Sequence, residues 1–74
     1  MNTIQLQSIG HVTAKEAKDL KVGDVMIWNF GFRSTVSEIV RETAKSIWIK
    51  EISKSSGKTY ERRFLKSRLV GCEM

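Results

Sequence analysis

The chain has 74 residues, of which 41% are hydrophobic and 28% charged, and it carries a net charge of +5. This length allows one small domain with a limited core, because such a chain buries only about 60% of its unfolded surface, while the apolar content excludes disorder. The sequence contains no apolar run of about 18 residues and no signal-like N-terminus, and its single Cys and single His exclude an internal disulfide and a multi-Cys zinc site.

The positive charge is unevenly distributed along the sequence. Residues 1–40 contain four basic and four acidic side chains, whereas residues 41–74 contain nine basic and four acidic ones. A basic surface attracts anionic partners, of which nucleic acid is the commonest. Small domains also carry a few net charges for solubility alone. The clustering of basic residues after Lys50 favours a functional patch.

The first predicted elements are a strand and a short helix. Residues 3–9 alternate apolar and polar side chains, which predicts a strand. In residues 13–20, Thr13 and Glu16 have the spacing of a capping box and apolar residues recur every third position, which predicts one or two helical turns. Gly23 then predicts a turn, because glycine adopts positive φ without steric cost.

The remainder of the sequence predicts strands separated by turns. Strands are expected over residues 25–30, 32–42, 46–52 and 58–65, with a bulge or bend near Glu38 and a hairpin turn that ends at Gly57. Residues 66–70 are expected to form a single 3₁₀ turn. Strands spaced by about ten residues, with turns between them, predict a mostly β fold. Closure into a small barrel is expected because it removes exposed sheet edges.

The order of these features resembles the SH3-like small barrels, including KOW-type domains and small phage or prophage proteins. The resemblance covers residues 20–70 and rests on the segment 20–25, the turn at Gly31, the bent strand through Val36 and the hairpin at Gly57. No full KOW motif is present. The resemblance implies an SH3-like barrel of about five strands with one short N-terminal helix, in a single domain of residues 1–74. Ligands of such barrels often bind across aromatic and basic residues near the loops, which implies binding at Trp28, Phe30, Phe32 and Tyr60.

No set of residues predicts catalysis, and the chain is predicted not to be an enzyme. Cys72 lies near the C-terminus, where chains fray, and His11 lies in a predicted loop. Asp24 is expected to make hydrogen bonds within its turn. The glutamates at positions 38, 42, 51 and 61 are expected to face solvent opposite basic side chains. Neither a metal ligand set nor a Gly-rich phosphate loop is present, so no metal and no cofactor is predicted.

Strand 46–52 supplies the best candidate for a binding surface. If Ile47 and Ile49 point to the core, Trp48 and Lys50 share the outer face. An aromatic ring beside a cation is what a base-stacking platform requires. Alternatively, Trp48 covers the end of the barrel or packs on the helix of residues 14–20, and this arrangement is favoured.

Two further segments place cations and aromatic residues together. In strand 58–65, Arg62 and Arg63 point to opposite faces, so one arginine must lie at an edge or extend its stem over the core. Guanidinium groups bind phosphates and also protein carboxylates. Phe30 and Phe32 flank Gly31, and we expect them to fold back and close one end of the barrel instead of forming an exposed loop.

The favoured function is a non-catalytic nucleic-acid-binding module that uses its basic C-terminal half. The predicted site residues are Trp48, Lys50, Lys54, Lys58, Arg62, Arg63, Lys66 and Arg68. The alternative is a protein-interaction module, such as a phage or prophage accessory factor that binds a host protein, an acidic protein surface or its own copies through Met26, Trp48 and Ile52. A domain of a larger enzyme is less favoured, because the chain begins with Met and has its own first strand. We expect a cytoplasmic protein, either of a bacterial host or phage-encoded, with no membrane partner.

Overall fold

A computed structural model describes residues 2–73, so Met1 and Met74, which the expected domain of residues 1–74 includes, lie outside the described residues. The strands are β1 (Asn2–Leu6), β2 (Gly10–Glu16), β3 (Val25–Ile27), β4 (Arg33–Glu42), β5 (Ser46–Ser53), β6 (Thr59–Leu65) and β7 (Leu69–Glu73). Two 3₁₀ turns, Ala17–Asp19 and Asn29–Gly31, precede β3 and β4. The predicted mostly β class is confirmed.

The seven strands form one open antiparallel sheet in the order β1-β2-β7-β3-β4-β5-β6. The expected closed barrel of about five strands is therefore wrong in strand number and in closure. The sheet is nevertheless strongly curled. Trp28 follows β3 and stacks on Phe64 of β6 with ring centroids 6.1 Å apart, whereas a flat sheet would separate these two strands by about 14 Å.

The first 3₁₀ turn occupies the gap where a barrel would close. The backbone N–H groups of Ala17 and Lys18 donate to the carbonyl oxygens of Arg68 and Lys66 over 2.8 and 3.2 Å. These bonds tie the end of β2 to the connection after β6 without a continuous ladder. The edge strand β6 carries Glu61 and two arginines, and such charges oppose pairing with another strand.

The predicted N-terminal helix of residues 13–20 is wrong. Residues up to Glu16 belong to β2, where Ala14 pairs with Gly71 and Glu16 with Leu69, and only the short turn after them is helical. An isolated helix of two turns is unstable because nucleation is costly. Pairing with both β1 and β7 therefore outweighs the capping-box spacing, and the apolar spacing reflects burial of Ala14, Ala17 and Leu20.

Strand β7 is the other element that the sequence pattern did not predict. Gly71 is buried at its centre, and a Cβ atom there would lie 2.9 Å from Val12 Cγ2 and 3.1 Å from the carbonyl oxygen of Ile27. The close approach of neighbouring strands requires a glycine at this position. A glycine and a cysteine in adjacent positions give no alternation, and the 3₁₀ turn expected over residues 66–70 is wrong, because Leu69 and Val70 belong to β7 and only a turn at residues 66–67 precedes them.

The bulge predicted near Glu38 is confirmed. Strand β4 shifts register against β5 between Val36 and Glu38 and again between Ile39 and Arg41. The first shift brings Ile39 onto the same face as Val36, the second places Arg41 opposite Trp48, and Val40 is left exposed. The positive φ expected at Gly23 and Gly57 is also present.

The core lies on the concave side of the curled sheet. It draws on the first 3₁₀ turn and on strands β3 to β7, and Trp28 and Ile39 pack against it. The buried members of the core are Ala17, Leu20, Met26, Val36, Ile47, Ile49, Phe64, Val70 and Cys72. Met26 is therefore not available for the interaction surface considered above. No helix of residues 2–73 has the length and hydrophobicity needed to span a bilayer.

Candidate functional site

The two faces of β5 differ as the alternation predicted. Ile47 and Ile49 are buried on the concave inner face, whereas Trp48, Lys50 and Ile52 lie on the convex outer face. Trp48 therefore neither covers an end of the fold nor packs on a helix, and that favoured alternative is wrong. Trp48 is half-buried and lies beside cations on the outer face, which is the combination of ring and charge that a stacking surface uses.

Trp48 lies between two arginines on the outer face. Register places Arg41 of β4 opposite Trp48 on one side and Arg63 of β6 opposite it on the other. The Arg41 guanidinium carbon lies 4.0 Å from the centroid of the indole ring. Neither arginine forms an ion pair with another described residue. We call Arg41, Trp48 and Arg63 the Trp48 row.

Lys50 has a different environment, although it is the next outer-face residue on β5. It lies between Glu38 of β4 and Glu61 of β6, and its Nζ is 3.9 Å from Glu38 Oε1. Two neighbouring carboxylates compensate its charge. Lys50 is therefore a weaker candidate for a phosphate contact than either arginine of the Trp48 row.

Arg62 lies on the inner face and extends over the partly buried Trp28, as predicted for one of the two arginines. Its guanidinium carbon is 4.8 Å from the centroid of the Trp28 ring, and its Nε donates to Glu51 Oε1. Glu51 is only 2% exposed, so the expectation that it faces solvent is wrong. The other three glutamates, at positions 38, 42 and 61, are exposed as expected.

The buried carboxylate is stabilised by a chain of hydrogen bonds. Ser34 Oγ donates to Glu51 Oε2 over 2.6 Å, and Trp28 Nε1 donates to Ser34 Oγ over 3.0 Å. Both carboxylate oxygens therefore have a partner, which a buried charge requires. Period-two alternation assigns Glu51 to the face of Ile47 and Ile49, but it carries no information about such partners, and a carboxylate without partners is expected to face solvent.

Above this chain of bonds is a cleft of about 290 Å³. Phe32 and Tyr60 line it and are 59% and 47% exposed, and Trp28, Arg33 and Ser53 complete its walls. Ser34, Glu51 and Arg62 also line the space. We call it the aromatic cleft. The aromatic residues singled out by the resemblance thus converge here, with the exception of Phe30.

The Phe30–Phe32 segment is exposed, so the expectation that it folds back is wrong. Phe30 is 61% exposed and has the left-handed φ of 64°. Its backbone N–H donates to the carbonyl oxygen of Gln7, and the Gln7 N–H donates to Asn29 Oδ1, both over 2.9 Å. These bonds to the β1–β2 turn hold the loop away from the core.

The other predicted site residues are separated along β6. Lys54 and Lys58 lie in the β5–β6 hairpin, where the Lys54 N–H donates to the Arg33 carbonyl oxygen over 3.0 Å, so both lie beside the aromatic cleft. At the other end of β6, Lys66 Nζ is 3.5 Å from Glu42 Oε1, and the Arg68 guanidinium is 5.3 Å from the Phe64 ring. The structure therefore places Trp48 opposite Arg63, and it places Lys54 and Lys58 on a hairpin that adjoins Arg33 and Ser53 of the aromatic cleft, but it does not join all eight.

Arg41 is the one member of the Trp48 row that sequence reasoning missed. The second register shift in β4 makes Arg41 and not Val40 the neighbour of Trp48. Alternation that includes only the one bulge predicted near Glu38 assigns Arg41 to the inner face, and the second shift returns it to the outer face. The only available signal was the break in apolar periodicity at Ile39, which indicated that the strand is irregular.

The side chains considered for catalysis lie in different environments. Cys72 is buried on β7, and this burial raises the pKa of its thiol, whereas His11 is exposed on β2. Asp24 bonds within its turn as predicted, because its Oδ2 accepts the Lys21 N–H over 2.8 Å. Residues 2–73 contain no cluster of three His, Cys, Asp or Glu side chains arranged to hold a metal ion.

No protein-family model, no curated protein and no solved structure matches the chain. The site geometry itself must therefore support any functional proposal.

Proposed function

We propose that this chain is a non-catalytic, SH3-like module that binds nucleic acid, and that it acts in the cytoplasm. The observation that supports the proposal is the Trp48 row, in which two arginines without ion-pair partners among residues 2–73 flank an indole ring. Phosphates and bases together require this combination of cation and flat ring.

Each member of the row has a distinct part in the proposed contact. Arg63, on the edge strand, offers a guanidinium fork to a phosphate. The Arg41 guanidinium carbon already lies over the Trp48 ring, and guanidinium planes and indole rings both stack with bases. No described carboxylate is paired with either arginine. An incoming phosphate therefore does not have to displace an internal partner.

The wider distribution of charge supports the same ligand class. Arg41, Arg63, Lys45, Lys54, Lys58 and Arg68 form no ion pair with another described residue, and all of them belong to the second half of the chain. Unpaired cations of this kind raise the local concentration of a polyanion before any specific contact forms. An acidic protein surface would be attracted in the same way, but it would not use the indole ring.

The proposal is tested by fluorescence anisotropy of a labelled oligothymidine of about 12 nucleotides. We expect binding at low salt that weakens steeply as salt is added, because phosphate contacts release counterions. Arg63→Glu should lower the affinity about tenfold and reduce the salt slope by about one contact. Lys21→Glu is the matched control, because it changes the net charge equally at an exposed residue that is not part of the row.

Two results would contradict the proposal. The first is the absence of any anisotropy change at low salt with DNA or RNA. The second is an equal loss of affinity in Arg63→Glu and Lys21→Glu, because binding would then depend on overall charge and not on the Trp48 row.

Exposed apolar side chains favour a protein-interaction module as the second candidate. Phe30 and Phe32 lie on the loop beside Ile9, which is itself 43% exposed, and contiguous apolar patches mark interfaces. Light scattering over a range of concentrations tests self-association, and a pull-down tests binding to a host protein. A monomer that binds oligonucleotide and recovers no protein partner would exclude this candidate.

A further inference from the structure

We infer that the aromatic cleft receives one unpaired base, so that the module prefers single-stranded nucleic acid to a duplex. This inference rests on the proposed function and specifies its substrate class. It is drawn from the shape, rigidity and charge of the cleft, which lies on the face of the sheet opposite the Trp48 row.

The size of the cleft fits a single ring. Its volume of about 290 Å³ is at the lower end of the range of ligand sites, which begins at about 300 Å³. Phe32 and Tyr60 present exposed aromatic faces at its opening. A flat base stacks on such faces whatever its sequence identity, because every base has a π-face. A paired base in a duplex is already stacked and cannot enter.

The floor of the cleft is organised before any ligand arrives. The hydrogen bonds from Trp28 to Ser34, from Ser34 to Glu51 and from Arg62 to Glu51 hold four side chains in one arrangement. Arg62 uses only its Nε in this chain of bonds, and no described residue accepts from its terminal amino groups. A guanidinium has five N–H donors, so Arg62 retains donors for the oxygen and nitrogen acceptors of a base.

The charge balance favours a ring over a phosphate inside the cleft. Arg62 is paired with Glu51, and Arg33 Nε is 2.8 Å from Glu73 Oε2. The four charges cancel, so the cleft does not specifically attract an anion. The unpaired Lys54 and Lys58 lie outside it on the adjacent hairpin. There they are placed to contact the phosphates on either side of an inserted base.

Strand β6 connects the cleft to the Trp48 row. It is an edge strand, and adjacent residues on it point to opposite faces, so Arg62 contributes to the cleft and Arg63 to the row. A flexible single strand that crosses this edge reaches both surfaces. A stiff duplex contacts only the outer face and forgoes the contacts of the cleft.

The experiment compares a labelled oligothymidine with a duplex of the same length at one low salt concentration. The wild-type protein should bind the single strand at least about fivefold more tightly. Phe32→Leu should remove most of this preference and leave duplex affinity unchanged. Phe30→Leu is the matched control: it makes the same change two residues away, at a side chain of nearly equal exposure that does not line the cleft.

A second measurement locates the base directly. Trp28 and Trp48 give two indole N–H signals in an ¹⁵N-edited NMR spectrum, one for each face of the sheet. Thymidine monophosphate should shift the Trp28 signal, because Trp28 lines the cleft, and Phe32→Leu should weaken that shift.

The outcomes distinguish this inference from the proposed function. Single-strand preference that falls in Phe32→Leu but not in Phe30→Leu supports it. Equal affinity for single strand and duplex, or equal behaviour of the two variants, overturns the inference and leaves nucleic-acid binding intact. Binding of neither oligonucleotide overturns both.

Discussion

Arg62 and Arg63 are neighbours on the same edge strand, yet the fold gives them opposite environments. Arg62 points to the inner face, where it lies over Trp28 and is paired with the buried Glu51. Arg63 points to the outer face beside Trp48 and has no ion-pair partner among the described residues. The charge of one guanidinium is compensated within an internal polar network, and the charge of the other remains available to a phosphate.

This difference shows why a count of basic residues overstates the number of cations that are available to a ligand. The eight predicted site residues include three that are paired with internal carboxylates, namely Lys50, Arg62 and Lys66. Their charge contributes to the net total but is already compensated locally. The ligand-binding potential is instead set by which cations the strand register leaves without a carboxylate neighbour.

The largest expected effect on the free energy of unfolding is that of Arg62→Met, and Arg63→Met is its matched comparison. Arg62→Met leaves the buried Glu51 charge unpaired. Breaking a buried pair costs about 3–5 kcal/mol, but the Arg62 side chain is 47% exposed, so solvent screening reduces the expected loss in free energy of unfolding to about 2 kcal/mol. Arg63→Met should change the free energy of unfolding by less than about 0.5 kcal/mol. Urea denaturation of both variants measures the difference.

The same pair of variants should reverse its order in an assay of duplex binding, because a duplex contacts only the outer face. Arg63→Met is expected to weaken oligonucleotide binding, although it leaves stability nearly unchanged. Methionine retains much of the apolar stem, so both substitutions act mainly through the lost guanidinium. Equal destabilisation by the two substitutions would show that Glu51 does not depend on Arg62.

A smaller effect is expected from Ser34, which joins Trp28 to Glu51. Ser34→Ala removes an acceptor for the indole N–H and a donor for the carboxylate. An unsatisfied buried group costs about 1–3 kcal/mol, and we expect a loss of about 1.5 kcal/mol in the free energy of unfolding. Ser53→Ala is the control, because its hydroxyl bonds only to that of Ser55 at an exposed position. A matching loss in the control would argue against the role of Ser34 in the network.

The same contrast explains how much of the molecule the sequence could predict. The strands around β4, β5 and β6, the bulge near Glu38 and the two faces of β5 follow from alternation and turn chemistry, which are local. The strand character of residues 13–16 and of β7 depends on pairing between distant segments, in which Gly71 permits the close approach of Val12. Local patterns do not encode that pairing.

The residues of the candidate site likewise fall into those that local patterns predict and those that depend on the tertiary structure. The period of two alone placed Trp48 opposite the face of Ile47 and Ile49, and it placed Arg62 and Arg63 on opposite faces without showing which of them faces outward. Arg41 depended on a second bulge, and Glu51 depended on two partners from other strands. The tertiary structure therefore converts a predicted basic half of the chain into two separate surfaces.

The smallest expected effect on the free energy of unfolding concerns Cys72. Its thiol lies on the inner face, as Glu51 does, but it forms no ion pair there with another described residue. Burial raises its pKa above the ordinary value of 9.0; the charge of Asp24 acts in the same direction and that of Lys15 opposes it. The unfolded thiol therefore loses its proton at a lower pH than the folded one. As a result, the free energy of unfolding should fall as the pH rises above the ordinary thiol pKa.

Below that pH both states keep the proton, and this contribution is fully present. The test compares the wild type with Cys72→Ala by urea denaturation across this range, because lysine and tyrosine titrations are common to both proteins. The wild-type curve should fall more steeply with pH than that of the variant. Parallel curves would show that the buried thiol, unlike the paired carboxylate on the same face, is not coupled to folding.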